Sequence, residues 1–277
     1  MSRARSLHID LLPGARTLLQ AHGRALPQRD DLCGGFCGAL ALHAAGIDAH
    51  DGERVDQDAV ALAAGSVISA AAEPHNLPQG ERGRRDYRLA LPRIEDAARS
   101  GTTPAGLVRA VEQLSGDALA ALPYTAQWSA QALAGLFDLL AALERPVSAV
   151  ANLATRHLWG AGATLGQLLA YLLDGAQTGP DPDWDVGHFV CLIGRIVGPG
   201  GTLYGVADTY PSLGSRGLHM QPAERLARAL QRPDMAAGGL ILIAFSEDAA
   251  QLRARAAELG LSEGAWDNGT VLPEMLA

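Results

Sequence analysis

Cys33 lies in the segment Gln28-Arg29-Asp30-Asp31-Leu32-Cys33-Gly34-Gly35, just ahead of the small-residue run Gly34 to Gly46, in which Phe36, Leu40 and Leu42 stand among alanines. That run reads as a compact helix whose small residues permit close neighbours. A thiol at its start faces the positive end of the helix dipole, which favours the nucleophilic thiolate. The glycines let a backbone approach a ligand closely. Gln28 is spaced to offer its amide N–H to the same point, where it would stabilise the oxyanion formed when a thiolate attacks a carbonyl. Together these residues make half of a thiol-hydrolase site.

The other half requires an imidazole to carry the proton and a polar group to orient that imidazole. His188 opens the run HFVCLIGRIV, His188 to Val197, which is apolar on both alternating faces and reads as a central strand. Gly198-Pro199-Gly200-Gly201 turns the chain, and TLYGVAD, Thr202 to Asp208, returns it as a hairpin. Asp208 thus falls at the mouth of the hairpin whose other strand begins with His188. A regular hairpin closed by that loop would pair Cys191 with Asp208 and put Asp208 on the face opposite His188. A site built from both therefore requires a bulge or a loop of different length.

Cys37, one helical turn after Cys33, is the rival nucleophile, but the spacing from Gln28 fits Cys33 better. Cys191 follows His188 by an odd number of strand residues and belongs to the core. Three cysteines are an odd count, so at least one thiol is free. His43, His157 and His219 lack partners at metal-ligand spacing, and Cys33 with Cys37 is only half of a zinc site. Asp181, Asp183 and Asp185 resemble the start of a calcium loop, yet Val186 and Leu192 stand where glycine and glutamate belong. They read as a polar turn into the His188 strand, with Trp184 either at the rim of a cleft or packed on the surface. No metal and no cofactor is expected.

The elements that position these residues are mostly helical in the first half. Asp56 to Ala72 reads as a helix, as does the stretch after Thr103-Pro104, where threonine caps and proline opens the first turn. Leu133 to Glu144 is amphipathic. Val147 to Val150 has strand character and is followed by a helix through Leu165 and Leu172. After the hairpin come a helix over Pro222 to Leu230, the strand Leu240 to Phe245 and a charged helix from Glu247 to Leu259. Helices first and strands later argue for an α+β fold. The expected division is one domain over 1–277, with a helical lobe over about 1–145, a sheet lobe over about 146–250 and a C-terminal helix and tail over 247–277.

The 277 residues are 48% hydrophobic and 19% charged, enough apolar material for a folded core. All 22 basic residues are arginine. Without lysine there is no Schiff base, no Ser-Lys dyad and no phosphate-binding loop of the G-x-x-x-x-G-K type. A net charge of -8 argues against a nucleic-acid partner. The one dense basic stretch, Arg82 to Arg88 within the polar loop 74–88, reads as an exposed insertion. No secretory signal is evident in Met1 to Gln20, and no apolar run is long enough to span a membrane. A cytoplasmic protein is the expectation.

The motifs resemble papain-like cysteine peptidases, and within them the double-glycine leader peptidases and their relatives. Those carry a glutamine, a short spacer, Asp-Cys-Gly and a small-residue helix, then a Gly-His strand and an Asp-Pro after a hairpin. Here the counterparts are QRDDLCGG, VGHFVCLIG and VADTYP, with Leu32 in place of the aspartate and Thr209-Tyr210 inserted before Pro211. GTTPAGLVRAVEQL looks like the family's middle helix and RPVSAV like its first barrel strand. QPAERLARAL and GLILIAF look like its closing helix and strand. The resemblance implies a papain-like fold with Cys33 as nucleophile, His188 as general base and then acid, Asp208 as orienting group and Gln28 as oxyanion donor. It implies a peptide or amide substrate, such as a biosynthetic precursor, cleaved by water or transferred to an amine. The competing expectations are a binding or scaffold protein that keeps the fold without the activity, and a redox sensor built on Cys33 and Cys37.

Overall fold

The computed structural model describes residues 6–73, 76–182 and 184–271. The chain opens with β1 (His8–Leu11) and α1 (Ala15–Ala25), then enters α2 (Cys33–Ala44). A small hairpin of β2 (Ala49–His50) and β3 (Glu53–Arg54) leads to α3 (Gln57–Ala64). The parallel pair β4 (Ile68–Ser69) and β5 (Arg93–Ile94) brackets the loop over 70–92. There follow α4 (Pro104–Leu114), β6 (Leu119–Thr125), α5 (Ala130–Ala141), β7 (Val147–Ala154) and α6 (Leu165–Asp174). The remainder is β8 (Gly187–Val197), β9 (Thr202–Ala207), β10 (Leu218–Pro222), α7 (Ala223–Gln231), β11 (Gly239–Phe245), α8 (Ala249–Glu258) and β12 (Ser262–Glu263).

The fold is mixed α+β. One large antiparallel sheet runs in the order β10-β9-β8-β7-β11-β6-β12, with β1 also paired to β8. Helices cover both faces. Phe189, Cys191, Ala207 and Ile241 face a core shared with α1, α2 and α4. Val190, Leu192, Val206 and Leu242 face the other core, filled from α5, α7 and α8. This two-sided burial is the physical reason that β8 carries apolar residues at successive positions.

Glycines set the closeness of the helical layer. A Cβ on Gly35 would stand 2.6 Å from the Gln57 carbonyl oxygen, and one on Gly38 would stand 2.7 Å from Leu107 and 2.8 Å from Val60. α2 is therefore held against α3 and α4 at a separation no larger residue permits, and it is buried on nearly every side. At the head of α4, Thr103 accepts from Gly106 N–H at 3.0 Å, and Pro104 opens the first turn.

Several expectations need correction. The helix expected over Asp56 to Ala72 stops at Ala64, because Gly65 turns left-handed (φ 66) and the chain becomes extended through Ile68. The helix expected to reach Glu144 ends at Ala141. The division into a helical and a sheet lobe is not clean, since β1 and β6 come from the first part of the chain and enter the main sheet. β6, with the sequence LAALPYT, lacks the β-branched pattern that marks a strand and is placed by pairing with β11.

The basic loop is not a free insertion. Asp30 accepts from Arg84 N–H at 2.9 Å and from Arg85 Nε at 3.3 Å, while Arg84 Nη1 donates to the Pro27 carbonyl at 2.6 Å. Tyr87 donates to the Asp30 carbonyl and Arg88 N–H to the Asp58 carboxylate. The 81–88 segment thus braces the residues that lead into Cys33. Pro74 and His75, at its start, lie outside the described residues, as does Asp183 of the acidic run.

Candidate active site

Cys33 is the first residue of α2, preceded by Leu32 as a cap without a side-chain acceptor. The turn before it is fixed by Asp31, a left-handed residue (φ 65) whose carboxylate accepts from Ser69 N–H at 2.8 Å and from Ser100 Oγ at 2.9 Å. Cys33 is half-buried and lines a cleft of about 370 Å³ together with Gln28, His188, Trp184, Tyr210 and Arg232. Its backbone N–H belongs to the unpaired first turn of a helix, as an oxyanion donor must.

Gln28 is tied in place by its backbone, which donates to the Thr209 carbonyl at 3.0 Å. Its side chain is buried, and the amide oxygen has no partner among the described residues. A buried amide left open in this way is costly unless a ligand completes it. The strap from Gln28 to Thr209 also fastens the segment before Cys33 to the segment after Asp208.

The hairpin brings His188 and Asp208 together through a bulge. Val197 pairs with Thr202 across the loop 198–201, and the pairing is regular to Gly194 with Gly205. The register then shifts between Leu192 and Gly194, leaving Ile193 unpaired, so that Cys191 faces Ala207. Asp208 consequently falls one position beyond that pair, in the alternation of His188. His188 Nε2 stands 2.9 Å from Asp208 Oδ1 and 3.2 Å from Thr209 Oγ1. Because Nε2 is occupied, Nδ1 is the ring atom left for the thiol.

Asp208 is held by more than the sequence revealed. Its Oδ1 accepts from Thr209 N–H at 2.7 Å, and its Oδ2 stands 3.2 Å from His219 Nε2. The His219 tautomer is fixed by a chain of contacts. Gln221 Oε1 accepts from Trp159 N–H at 2.7 Å, so Gln221 Nε2 donates to the Trp159 carbonyl at 2.9 Å and to His219 Nδ1 at 3.0 Å. His219 then carries its proton on Nε2 and donates to Asp208. His22 Nε2 bonds the Asp208 carbonyl at 2.6 Å from the opposite side.

Burial pushes the His188 ring toward its neutral form, but the Asp208 charge, the Asp208 hydrogen bond and the adjoining Cys33 thiol outweigh it and raise it to about 10. For Asp208, burial favours the protonated acid; the His188 charge and hydrogen bond, followed by those of His219, overcome it and hold the carboxyl well below the usual range. The two side chains form a buried ion pair, His188 at 3% and Asp208 at 1% exposure. Trp184 meets the His188 ring edge-on at 4.8 Å and Tyr210 lies nearly parallel to it at 6.4 Å, which screens the pair from water. Trp184 is thereby placed at the cleft rather than on a remote surface.

Cys37 and Cys191 sit elsewhere. Both are fully buried, with the Cys191 thiol 3.8 Å from the Cys37 carbonyl, and burial next to Cys191 pushes the Cys37 thiol up. Neither lines the cleft. Sequence reasoning passed over His22, Asn152 and Arg232, weighed His219 only as a metal ligand, and met Thr209 only as a departure from the family motif. His219 alone carried a usable signal, being the polar residue that a strand next to Asp208 presents at hairpin spacing.

Fold and site define a mixed α+β protein with a cysteine, a histidine and an aspartate converging at one cleft. The chain belongs to DUF6885, a family of unknown function, whose profile matches residues 12–267. A search of curated proteins finds no match. Among the described residues, no helix is long and apolar enough to cross a membrane.

Proposed function

We propose that the protein is a papain-like thiol hydrolase or acyl transferase acting on a peptide or amide bond. The observation that carries the reading is the buried His188–Asp208 pair beside a cysteine at a helix head, in a cleft that Gln28 also lines. In this reading the Cys33 thiolate attacks the carbonyl carbon, and the carbonyl π electrons move to oxygen. Gln28 and the Cys33 backbone N–H receive that oxyanion. Collapse re-forms the carbonyl and breaks the C–N bond, and His188 gives its Nδ1 proton to the leaving amine. Water, deprotonated by His188, then attacks the thioester and releases Cys33; an amine in place of water gives transfer. Asp208 keeps Nε2 protonated and the ring turned toward the sulfur throughout. The order of motifs along the chain supports a papain-like fold, and a biosynthetic peptide precursor is the substrate that the resemblance favours.

Alkylation tests the reading. With iodoacetamide near neutral pH, Cys33 reacts at least tenfold faster than Cys37 and Cys191 by peptide mass mapping, and His188→Ala slows only Cys33. Equal, slow labelling of all three thiols overturns the enzyme reading and leaves a binding or scaffold protein.

A further inference from the structure

Arg232 is a buried cation without a buried anion. It lines the cleft, is 5% exposed, and makes no ion pair among the described residues. Its guanidinium is held on one side only: Nη1 donates to Asn152 Oδ1 at 2.6 Å and to the Ala237 carbonyl at 3.1 Å. Nε is buried and unbonded, and Nη2 has no hydrogen-bond partner among the described residues. Arg145 pairs with Asp248 through this same Nε–Nη2 edge, at 3.0 and 2.8 Å, and Arg84 pairs with Asp86 in the same way. In Arg232 that edge has no partner among the described residues.

The surroundings are built to admit this side chain. A Cβ on Gly187 would stand 2.6 Å from Arg232 Nη2, and one on Gly238 would stand 2.5 Å from its Cδ. Two glycines thus clear the path of the guanidinium, and the first of them immediately precedes His188. Asn152 fixes the orientation from β7 while also accepting from Trp266 Nε1 at 3.1 Å. Arg232 ends α7 in the left-handed conformation (φ 46), a position that usually goes to glycine. The lack of a counter-ion makes burial push its charge down, to about 10, and the group that acts against this is Cys33. The carboxylates that share the cleft are already engaged: Asp30 with Arg84 and Arg85, Asp31 with Ser69 and Ser100, and Asp185 with Arg156.

We propose that Arg232 binds a carboxylate of the substrate close to the carbonyl that Cys33 attacks, so that the preferred substrates are anionic acyl compounds, such as a peptide with a free or side-chain carboxylate beside the scissile bond. This rests on the thiol-hydrolase reading and gives it a substrate class. A desolvated guanidinium discriminates strongly between a carboxylate and the corresponding neutral amide, because only the former supplies the missing charge.

The probes are haloacid and haloamide pairs of two lengths, iodoacetate with iodoacetamide and 3-iodopropionate with 3-iodopropionamide. In each, the Cys33 thiolate displaces iodide. The acid-to-amide rate ratio at Cys33, divided by that of glutathione, is about ten or more for at least one length in the wild type. It falls to about one in Arg232→Gln, and equally in Asn152→Asp, which supplies an internal counter-ion without changing shape. Arg255→Gln, at an exposed position of α8 away from the cleft, leaves it unchanged. A wild-type ratio of one at both lengths overturns the proposal, as does a high ratio that survives Asn152→Asp; these measurements stand even if Arg232→Gln does not fold. Failure of the thiol-hydrolase reading looks different: Cys33 then reacts with the amides no faster than Cys191.

Discussion

Replacing Asp208 by asparagine keeps the shape of the site and removes the buried negative charge that faces His188. His188 then loses the partner that raises it to about 10 from an ordinary 6.5, while the burial that opposes its charge remains. At about 1.4 kcal/mol per unit, a shift of that size corresponds to roughly 5 kcal/mol of folding stability, at the upper end of the ~3–5 kcal/mol typical of breaking a buried pair from one side. The sign follows from linkage. His188 binds its proton more tightly folded than unfolded, so its contribution is complete below about 6.5 and is lost as pH rises through about 10. The Asp208 contribution exists above the unfolded carboxylate range and disappears in acid. Urea denaturation of wild type and Asp208→Asn should differ by roughly 3–5 kcal/mol at pH 7, and by clearly less at pH 10.5, where His188 has lost its proton and the ion pair is gone. Ring C–H resonances of His188 should stay imidazolium-like through pH 8 in the wild type and become neutral below 6.5 in the variant. A difference under 1 kcal/mol at pH 7, or one that does not shrink in alkali, would refute the ion-pair reasoning.

Two further outcomes are expected. His219→Ala removes one donor from Asp208 Oδ2 without touching His188, so less holds the Asp208 carboxyl down and acid unfolding moves to higher pH; an unchanged acid midpoint would show that His219 only fills space. Gly35→Ala places a methyl 2.6 Å from the Gln57 carbonyl and 3.2 Å from Ala61 Cβ, which should cost about 1–3 kcal/mol in urea denaturation, and a neutral result would mean that α2 and α3 slide apart freely.

The local elements of the site were readable because local physics writes them. Thr103-Pro104 announces a helix start, the His188 strand carries apolar residues on both alternating faces, and Gly198 to Gly201 forces a turn. Parity along the hairpin even required an irregularity, which stands at Ile193. Alternation can be counted in a sequence, and a site that needs two residues on one face restricts the count.

Residues whose roles depend on distant neighbours were not readable in this way. Nothing about Arg232, one arginine among 22, marks it as buried beside Asn152. The arginines of 82–88 look like a solvated run until Asp30, Asp56 and Asp58 are seen opposite them. β6 has no strand pattern of its own and exists because β11 offers it hydrogen bonds.

By itself the sequence determined which side chains could do thiol chemistry, which elements carry them and which chemistries the absence of lysine removes. Only the tertiary structure decided that the Asp208 carboxylate faces His188 in a buried site, that His219 also holds that carboxylate, and that Arg232 lies in the cleft without an ion pair among the described residues. Charge states and pairing depend on burial and on contacts between segments far apart in the chain, and neither is a property of a residue or of its neighbours in sequence.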